Sequence, residues 1–206
     1  VQGEAGVRLP HPDYLPALRR RCSEVGALLI LDEIQCGFGR TGTFWAFEQF
    51  GIEPDVLLTA KGMGGGMPIG AFIAPQHIMA GFKTDPILGH CTTFGGHPVS
   101  CAAALATLQV IQEENLLAGV AAKAARFRQQ LRHPAIREVR NCGLLMAVEF
   151  ESFAVLKPII DRALWQEGLL TDWFLFCDNS LRIAPPLTIT PQQIDEACAA
   201  LLRAIG

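Results

Sequence analysis

Two short apolar segments, each followed directly by a charged residue, limit most strongly what this chain can fold into. Residues 27–31 (Ala-Leu-Leu-Ile-Leu) lead into Asp32, and residues 56–60 (Val-Leu-Leu-Thr-Ala) lead into Lys61. Apolar runs of this length are typical of strands that are buried on both faces, as in parallel sheets. A Gly-rich turn and a short aromatic helix separate them. The sequence therefore predicts an α/β fold with a mostly parallel sheet.

The rest of the chain indicates two parts of different architecture. We expect Asp13 to cap a first helix that stops at Gly26, and Thr190 to cap the last helix. We place residues 1–112 in one large domain, and residues 113–206 in an interdomain helix followed by a small C-terminal α+β domain. The expected helices are 13–24, 98–114, 116–132, 153–167 and one from 191 onward, and the further strands are 69–74, two within 136–150, 173–176 and 181–184.

The charge distribution excludes two classes of partner. The 206 residues carry 17 basic and 20 acidic side chains, spread evenly, for a formal net charge of −3. Nucleic acids and anionic membrane surfaces both require a concentrated positive field, so neither is expected as a partner. The uncharged stretch 87–112 offers a continuous helix only over about 99–111, which is too short to cross ~30 Å of hydrocarbon. We expect it to be a buried helix.

The cysteines, the histidines and the first residues indicate the compartment. The seven cysteines are scattered and never form a Cys-x-x-Cys pair, and the five histidines share no metal-ligand spacing. A reducing cytoplasm, and no metal site, is therefore expected. Residues 1–6 contain neither the basic nor the apolar region of a secretory signal.

Asp32 and Lys61 are the candidates for chemistry, because ligands of parallel α/β sheets bind beyond the carboxyl ends of the strands. Taken singly, each residue type is more often a cap, a salt bridge or a solvated side chain. The two are 61 − 32 = 29 residues apart, the length of one strand–helix–strand unit, so both should emerge at the same sheet edge. A lysine in a partly dry pocket becomes a nucleophile for aldehydes. Pyridoxal phosphate requires such a lysine, an acid on its pyridine nitrogen and donors for its phosphate.

Three longer motifs surround these residues. They are Leu-Asp-Glu-Ile-Gln-Cys-Gly-Phe-Gly-Arg-Thr-Gly at 31–42, Ala-Lys-Gly-Met-Gly-Gly-Gly-Met-Pro-Ile-Gly at 60–70, and Thr-Thr-Phe-Gly-Gly-His-Pro at 92–98. With residues 2–6 and 181–187 they resemble the class III pyridoxal-phosphate aminotransferases, which include the acetylornithine, ornithine and 4-aminobutyrate enzymes. The resemblance covers essentially the whole chain and implies a fold type I transferase, with residues 1–112 in its large cofactor-binding domain.

The resemblance also implies roles for individual residues around the cofactor. Lys61 would form the Schiff base, Asp32 would contact the pyridine nitrogen, and Gln35 would lie near the ring hydroxyl. Thr93 would give its hydroxyl to the phosphate of the partner subunit's cofactor, which implies a homodimer with shared active sites.

A second implied pair concerns the substrates. Glu4 and Arg182 match an acid and an arginine of the ornithine-type members, in which the acid holds the arginine until a substrate carboxylate replaces it. Two positions depart from the family pattern: Cys36 stands where Thr is common and His97 where Asn is usual. The expected reaction moves an amino group from an amino acid, with an ω-amino donor such as ornithine, acetylornithine or 4-aminobutyrate, to a 2-oxo acid such as 2-oxoglutarate.

The family's first half supplies a phosphate-binding loop and an aromatic residue stacked on the cofactor, and neither precedes Val1. We therefore expect this chain to be the C-terminal half of such an enzyme and to be inactive alone. One alternative is a non-catalytic remnant or scaffold of that ancestry, although the retained Lys61 and Asp32 argue against it. Another is a dinucleotide-binding dehydrogenase, since residues 37–42 fit G-x-G-x-x-G. The five residues between strand and first glycine, two of them acidic, argue against that reading.

Overall fold

A computed structural model describes residues 1–206, which divide into two compact units. We call them the three-stranded unit and the four-stranded unit after their sheets. The three-stranded unit contains His11–Phe38 and Trp45–Glu114, and the four-stranded unit contains Val1–Pro10, Gly39–Phe44 and Asn115–Gly206. The division into domains at residue 112 stays a prediction.

The sheet of the three-stranded unit has the order β1-β2-β3. Strand β1 (Ile30–Asp32) runs parallel to β2 (Val56–Thr59), and β3 (Ala71–Ile73) runs antiparallel to β2. All three strands lie within or next to the predicted segments and are shorter than expected. α-Helices precede and follow the three strands, and 3₁₀ turns lie between them. The α/β class is confirmed.

Burial in this sheet differs from the prediction. Strand β2 is largely buried, but the Ile30 side chain in β1 is 54% exposed, and Leu28 and Ile73 are exposed to a similar degree. The expectation that residues 27–31 are buried on both faces is therefore wrong for this chain. Strand side chains point to the faces of a sheet, and the elements of this chain leave the side chains of Leu28, Ile30 and Ile73 uncovered.

Three α-helices belong to this unit: α1 (Tyr14–Val25), α2 (Gln76–Met79) and α3 (Pro98–Glu113). Helix α1 stops at Gly26, whose φ of +68° suits glycine, but Asp13 makes no capping hydrogen bond, so the predicted cap is wrong. Helix α3 was expected to be buried, yet of its residues only Ser100 and Ile111 are. It is apolar nearly all round, so no arrangement within one small unit can cover every face.

The four-stranded unit has an antiparallel sheet in the order β4-β5-β7-β6 with three α-helices, the predicted α+β architecture. Helix α5 packs on β7 and α6, and α6 packs on α4. Thr190 caps α6 with the reciprocal hydrogen bonds of a capping box. The elements are β4 (Glu138–Cys142), β5 (Leu145–Glu149), β6 (Trp173–Phe174), β7 (Cys177–Ile183), a 3₁₀ turn (Leu116–Gly119), α4 (Val120–Gln130), α5 (Phe153–Trp165) and α6 (Pro191–Ile205).

Contacts with backbone atoms attach the segment Gly39–Phe44 to the four-stranded unit. The Arg40 guanidinium donates hydrogen bonds to the carbonyl oxygens of Leu144 and Pro185, and burial lowers the pKa of Arg40. Gly143, with φ +55°, lies against the Thr41 backbone so closely that a side chain would not fit. The arginine of the glycine-rich motif therefore has a structural role here.

None of the α-helices combines the length and the apolar character that crossing a bilayer requires.

Candidate active site

Asp32 and Lys61 lie at one edge of the three-stranded sheet. Asp32 is paired in register with Leu58, and Lys61 opens the turn that follows β2. Asp32 is the last residue of β1 and Lys61 follows β2, so both lie at the carboxyl ends of the two parallel strands, which is where α/β sheets bind ligands. The Asp32 carboxylate accepts the Ile34 N–H at 2.8 Å, so its own loop orients it. Both side chains remain accessible.

The backbone of Lys61 is unusual. Its φ of +43° is in the left-handed region, which residues with a Cβ adopt rarely and at a cost of order 1–3 kcal/mol. Such strain is concentrated at functional sites. The 3₁₀ turn Lys61–Gly64 packs on α3, where Gly65 lies against Thr107. The Lys61 side chain makes no hydrogen bond or ion pair.

Glu33 holds the loop that carries Gln35. Its buried carboxylate accepts the N–H groups of Ala46 and Phe47, both at 3.0 Å, and so closes the loop between them. Burial raises the pKa of Glu33, although the two hydrogen bonds act in the opposite direction. Glu33 belongs to the 31–42 motif, but its two backbone donors lie too far along the chain to be inferred from that pattern.

Thr93 borders a cavity of about 550 Å³ beside the same sheet edge. The cavity is lined by residues 68–70, by residues 92–97 and by Ser100. Because β3 runs antiparallel to β2, the residues just before β3 lie at the edge where β2 ends. The structure therefore places Thr93 near the edge from which Asp32 and Lys61 emerge.

The N-terminus of α3 supplies unused hydrogen-bond donors to this cavity. The helix starts at Pro98 without a side-chain cap, and the N–H groups of Val99 and Ser100 have no partner. Ser100 is only 4% exposed, yet its hydroxyl also makes no hydrogen bond and the residue lines the cavity. Two free N–H groups and a free hydroxyl at a helix N-terminus suit an anion such as phosphate. Sequence reasoning missed Ser100.

Glu4 and Arg182 form an ion pair in the four-stranded unit. Arg182 Nη1 lies 3.1 Å from Glu4 Oε1, and Nη2 lies 3.3 Å from Oε2, which is a bidentate arrangement. The Leu175 N–H also donates to Glu4 Oε2 at 2.9 Å, and the Phe174 ring stacks on the guanidinium at 4.8 Å. Residues 178 positions apart are thus in direct contact.

The comparisons with known proteins agree with this geometry. The family model for class III aminotransferases matches residues 1–205. The chain belongs to the class III aminotransferases. It is 44% identical to a putrescine aminotransferase of Pectobacterium atrosepticum, over 98% of this chain and 44% of that protein.

Solved aminotransferase structures have the same fold. The ornithine aminotransferase of Toxoplasma gondii superposes with a TM-score of 0.89 at 34% identity, over all of this chain and 49% of that one. A transaminase of the marine bacterium Virgibacillus gives 0.88 at 31% identity, over all of this chain and 51% of that one. The fold type I assignment is therefore confirmed, and the chain spans about half the length of these class III relatives.

Pyridoxal phosphate is the cofactor of the class III family, and the residues at the sheet edge fit it. Lys61 offers an unpaired amine, Asp32 offers an oriented carboxylate, and the α3 N-terminus offers free donors for a phosphate. No group of three or more His, Cys, Asp or Glu side chains is arranged to hold a metal ion, and all seven cysteines are free thiols.

Proposed function

We propose that this chain is part of a transaminase that moves an amino group from an amino donor to a 2-oxo acid such as 2-oxoglutarate. The observation that carries the proposal is Lys61: an unpaired amine in a left-handed backbone conformation, directly after a parallel strand, at the same edge as Asp32. The family supports the reaction class.

In this proposal each residue at the edge has a defined task. Bound pyridoxal phosphate supplies an electron sink, which makes the proton on the donor's amine-bearing carbon easier to remove. Lys61 Nζ holds the cofactor and, once free, takes that proton and returns it. The Asp32 carboxylate would keep the ring nitrogen protonated, and Gln35 would contact the ring hydroxyl. Thr93, with the α3 N-terminus, would bind the phosphate of the partner subunit's cofactor.

The donor is proposed to carry its reacting amine on a terminal carbon. The relatives named above are a putrescine and an ornithine aminotransferase, and both names describe substrates with terminal amines. The ion pair between Glu4 and Arg182 supports this choice, because a donor without a carboxylate beside its amine leaves the pair intact. A 2-oxo acid would displace Glu4 and take the bidentate fork of Arg182.

We also propose a homodimer with shared active sites in a reducing, cytoplasmic compartment. The apolar side chains exposed on β1, β3 and α3 support burial by further protein, and the seven free thiols support the compartment. Sedimentation of the natural protein tests the dimer: a monomer at micromolar concentration contradicts it.

A labelled amino group tests the function. The natural protein, with pyridoxal phosphate, is given ¹⁵N-putrescine or δ-¹⁵N-ornithine and 2-oxoglutarate, and ¹⁵N-glutamate is followed by mass spectrometry. We expect transfer by the wild type and by Lys83→Ala, an exposed lysine of the same unit, and none by Lys61→Ala. Absence of transfer from every donor tried favours the non-catalytic scaffold. Transfer by Lys61→Ala contradicts the assignment of the lysine.

A further inference from the structure

Phe38 has the same rare backbone conformation as Lys61. Its φ of +56° lies in the left-handed region, where a bulky side chain is a genuine outlier. Glycine would adopt this φ without strain, and both chain neighbours of Phe38 are glycines, so an aromatic side chain at this position indicates a role for the ring. Backbone outliers persist only where surrounding contacts hold them, and they are concentrated at functional sites.

Trp45 holds the ring of Phe38. The two rings meet edge to face, with centroids 5.3 Å apart and an interplanar angle of 87°, an arrangement that aromatic rings favour. The Trp45 ring also covers Gly37, where a Cβ would lie 2.6 Å from it. Glu33 fixes this tryptophan in turn, because its carboxylate accepts the N–H of Ala46, the residue that follows Trp45. The position of Phe38 is therefore set by the loop after β1.

Phe38 also lies beside the turn that carries Lys61. A Cβ built on Gly62 would lie 3.5 Å from Phe38 Cβ, and no other atom from outside the turn would come within 4 Å of it. Gly62 follows Lys61 directly, and the turn also packs on α3. The Lys61 turn is therefore in contact with α3 and with the loop after β1.

We propose that Phe38 is a positioning residue for Lys61. Asp32 and Gln35 lie on the segment that leads to Phe38, and Lys61 opens the turn after β2. The spacing of these two segments sets how the acid and the lysine face one cofactor. The Phe38 ring is anchored on the first segment and its Cβ faces the second, so Phe38 fixes this spacing. The inference rests on the proposed function, in which Lys61 holds pyridoxal phosphate.

Three substitutions separate positioning from stability. Phe38→Ala keeps the Cβ and the left-handed strain but loses the ring that Trp45 holds. Phe38→Gly loses the Cβ as well, and it removes the strain. Phe38→Leu keeps the Cβ and an apolar group against Trp45. Urea unfolding should therefore rank Phe38→Gly above Phe38→Ala in stability, whereas the positioning of Lys61 should be no better in Phe38→Gly.

A titration of the natural protein with pyridoxal phosphate measures the positioning, because visible circular dichroism of the attached cofactor reports its fixed orientation. We expect Phe38→Ala and Phe38→Gly to require about tenfold more cofactor and to lose most of this signal, and Phe38→Leu to stay within about threefold of the wild type. Phe50→Ala is the matched control, because Phe50 is a half-buried phenylalanine of the same unit that does not face Gly62.

Two outcomes of this titration overturn the proposal. One is equal cofactor binding by the wild type and all the Phe38 variants. The other is tighter binding by Phe38→Gly than by Phe38→Ala, because a residue that contributes only stability would make cofactor binding follow the order of unfolding.

Amide exchange without cofactor separates this inference from the proposed function. Two N–H groups of the turn, those of Met63 and Gly65, donate hydrogen bonds within it. Loss of the Phe38 ring should speed their exchange about tenfold, and Phe50→Ala should leave it unchanged. Unchanged exchange in Phe38→Ala and Phe38→Gly overturns the role of Phe38 even if transamination is observed. Faster exchange together with no cofactor on Lys61 supports Phe38 as the support of this turn and overturns the proposed function.

Discussion

Gly65 couples the turn of Lys61 to α3, and Gly65→Ala tests that coupling. Gly65 has a φ of +56° and follows the 3₁₀ turn Lys61–Gly64. A Cβ at this position would lie far inside van der Waals contact of Thr107 Oγ1 on α3. The substitution therefore introduces two separate costs, one in the backbone and one in packing.

The two costs differ in size and origin. A left-handed backbone costs a residue with a Cβ about 1–2 kcal/mol relative to glycine. Forcing extra volume into a packed contact costs about 1–3 kcal/mol. Gly65→Ala should therefore lower the free energy of unfolding by about 2–5 kcal/mol in total.

A second substitution separates the two costs. Thr107→Ala removes the clashing Oγ1 and leaves Thr107 Cβ at 3.5 Å from the new methyl group, an ordinary contact. Alone, Thr107→Ala loses only a hydrogen bond to Ala103 within the helix, which alanine's helix propensity offsets to within about 0.5 kcal/mol. The double variant should recover about 1–3 kcal/mol, the packing part, and keep the backbone part.

Urea unfolding of the four proteins, followed by far-ultraviolet circular dichroism, measures this cycle. Attachment of pyridoxal phosphate to Lys61 should weaken and recover in the same order, because the turn positions the lysine. A double variant no more stable than Gly65→Ala would refute the packing of the Lys61 turn on α3.

Three further predictions concern single residues. Hydrogen bonds from Arg126 and Gln130 lower the pKa of Asp195 from its ordinary value of 3.8 to about 2. The ionised Asp195 therefore stabilises the fold above pH 3.8, and this contribution is lost as the pH falls through about 2. Asp195→Asn should flatten that part of an acid-unfolding curve. Burial raises the pKa of Cys198 to about 11, so iodoacetamide mapping at about pH 8 should label the exposed cysteines and spare Cys198. Ser100→Ala should weaken binding of inorganic phosphate about tenfold by phosphorus NMR, and unchanged binding removes Ser100 from the anion site.

Most of the elements could be predicted because their signals are local. Apolar runs located β1 and β2, and Thr190 marked the start of α6. Burial could not be predicted in the same way, because it depends on which other elements cover a strand. Residues 27–31 read as a buried strand, whereas β1 is an edge strand with Ile30 exposed.

The same distinction applies to the candidate site. Asp32 and Lys61 could be located because each follows a strand, and the rule for sheet edges needs only the chain order. Ser100 carries no such signal. Its importance comes from an unpartnered hydroxyl at a helix start.

The central claim is that Lys61 holds the cofactor, and its most direct test is chemical. The natural protein is loaded with pyridoxal phosphate, reduced with borohydride, digested and mapped by mass spectrometry. We expect the pyridoxyl group on the peptide that contains Lys61, and none on Lys83 or Lys123. A pyridoxyl group on either of those lysines, or no stable label, would contradict the account.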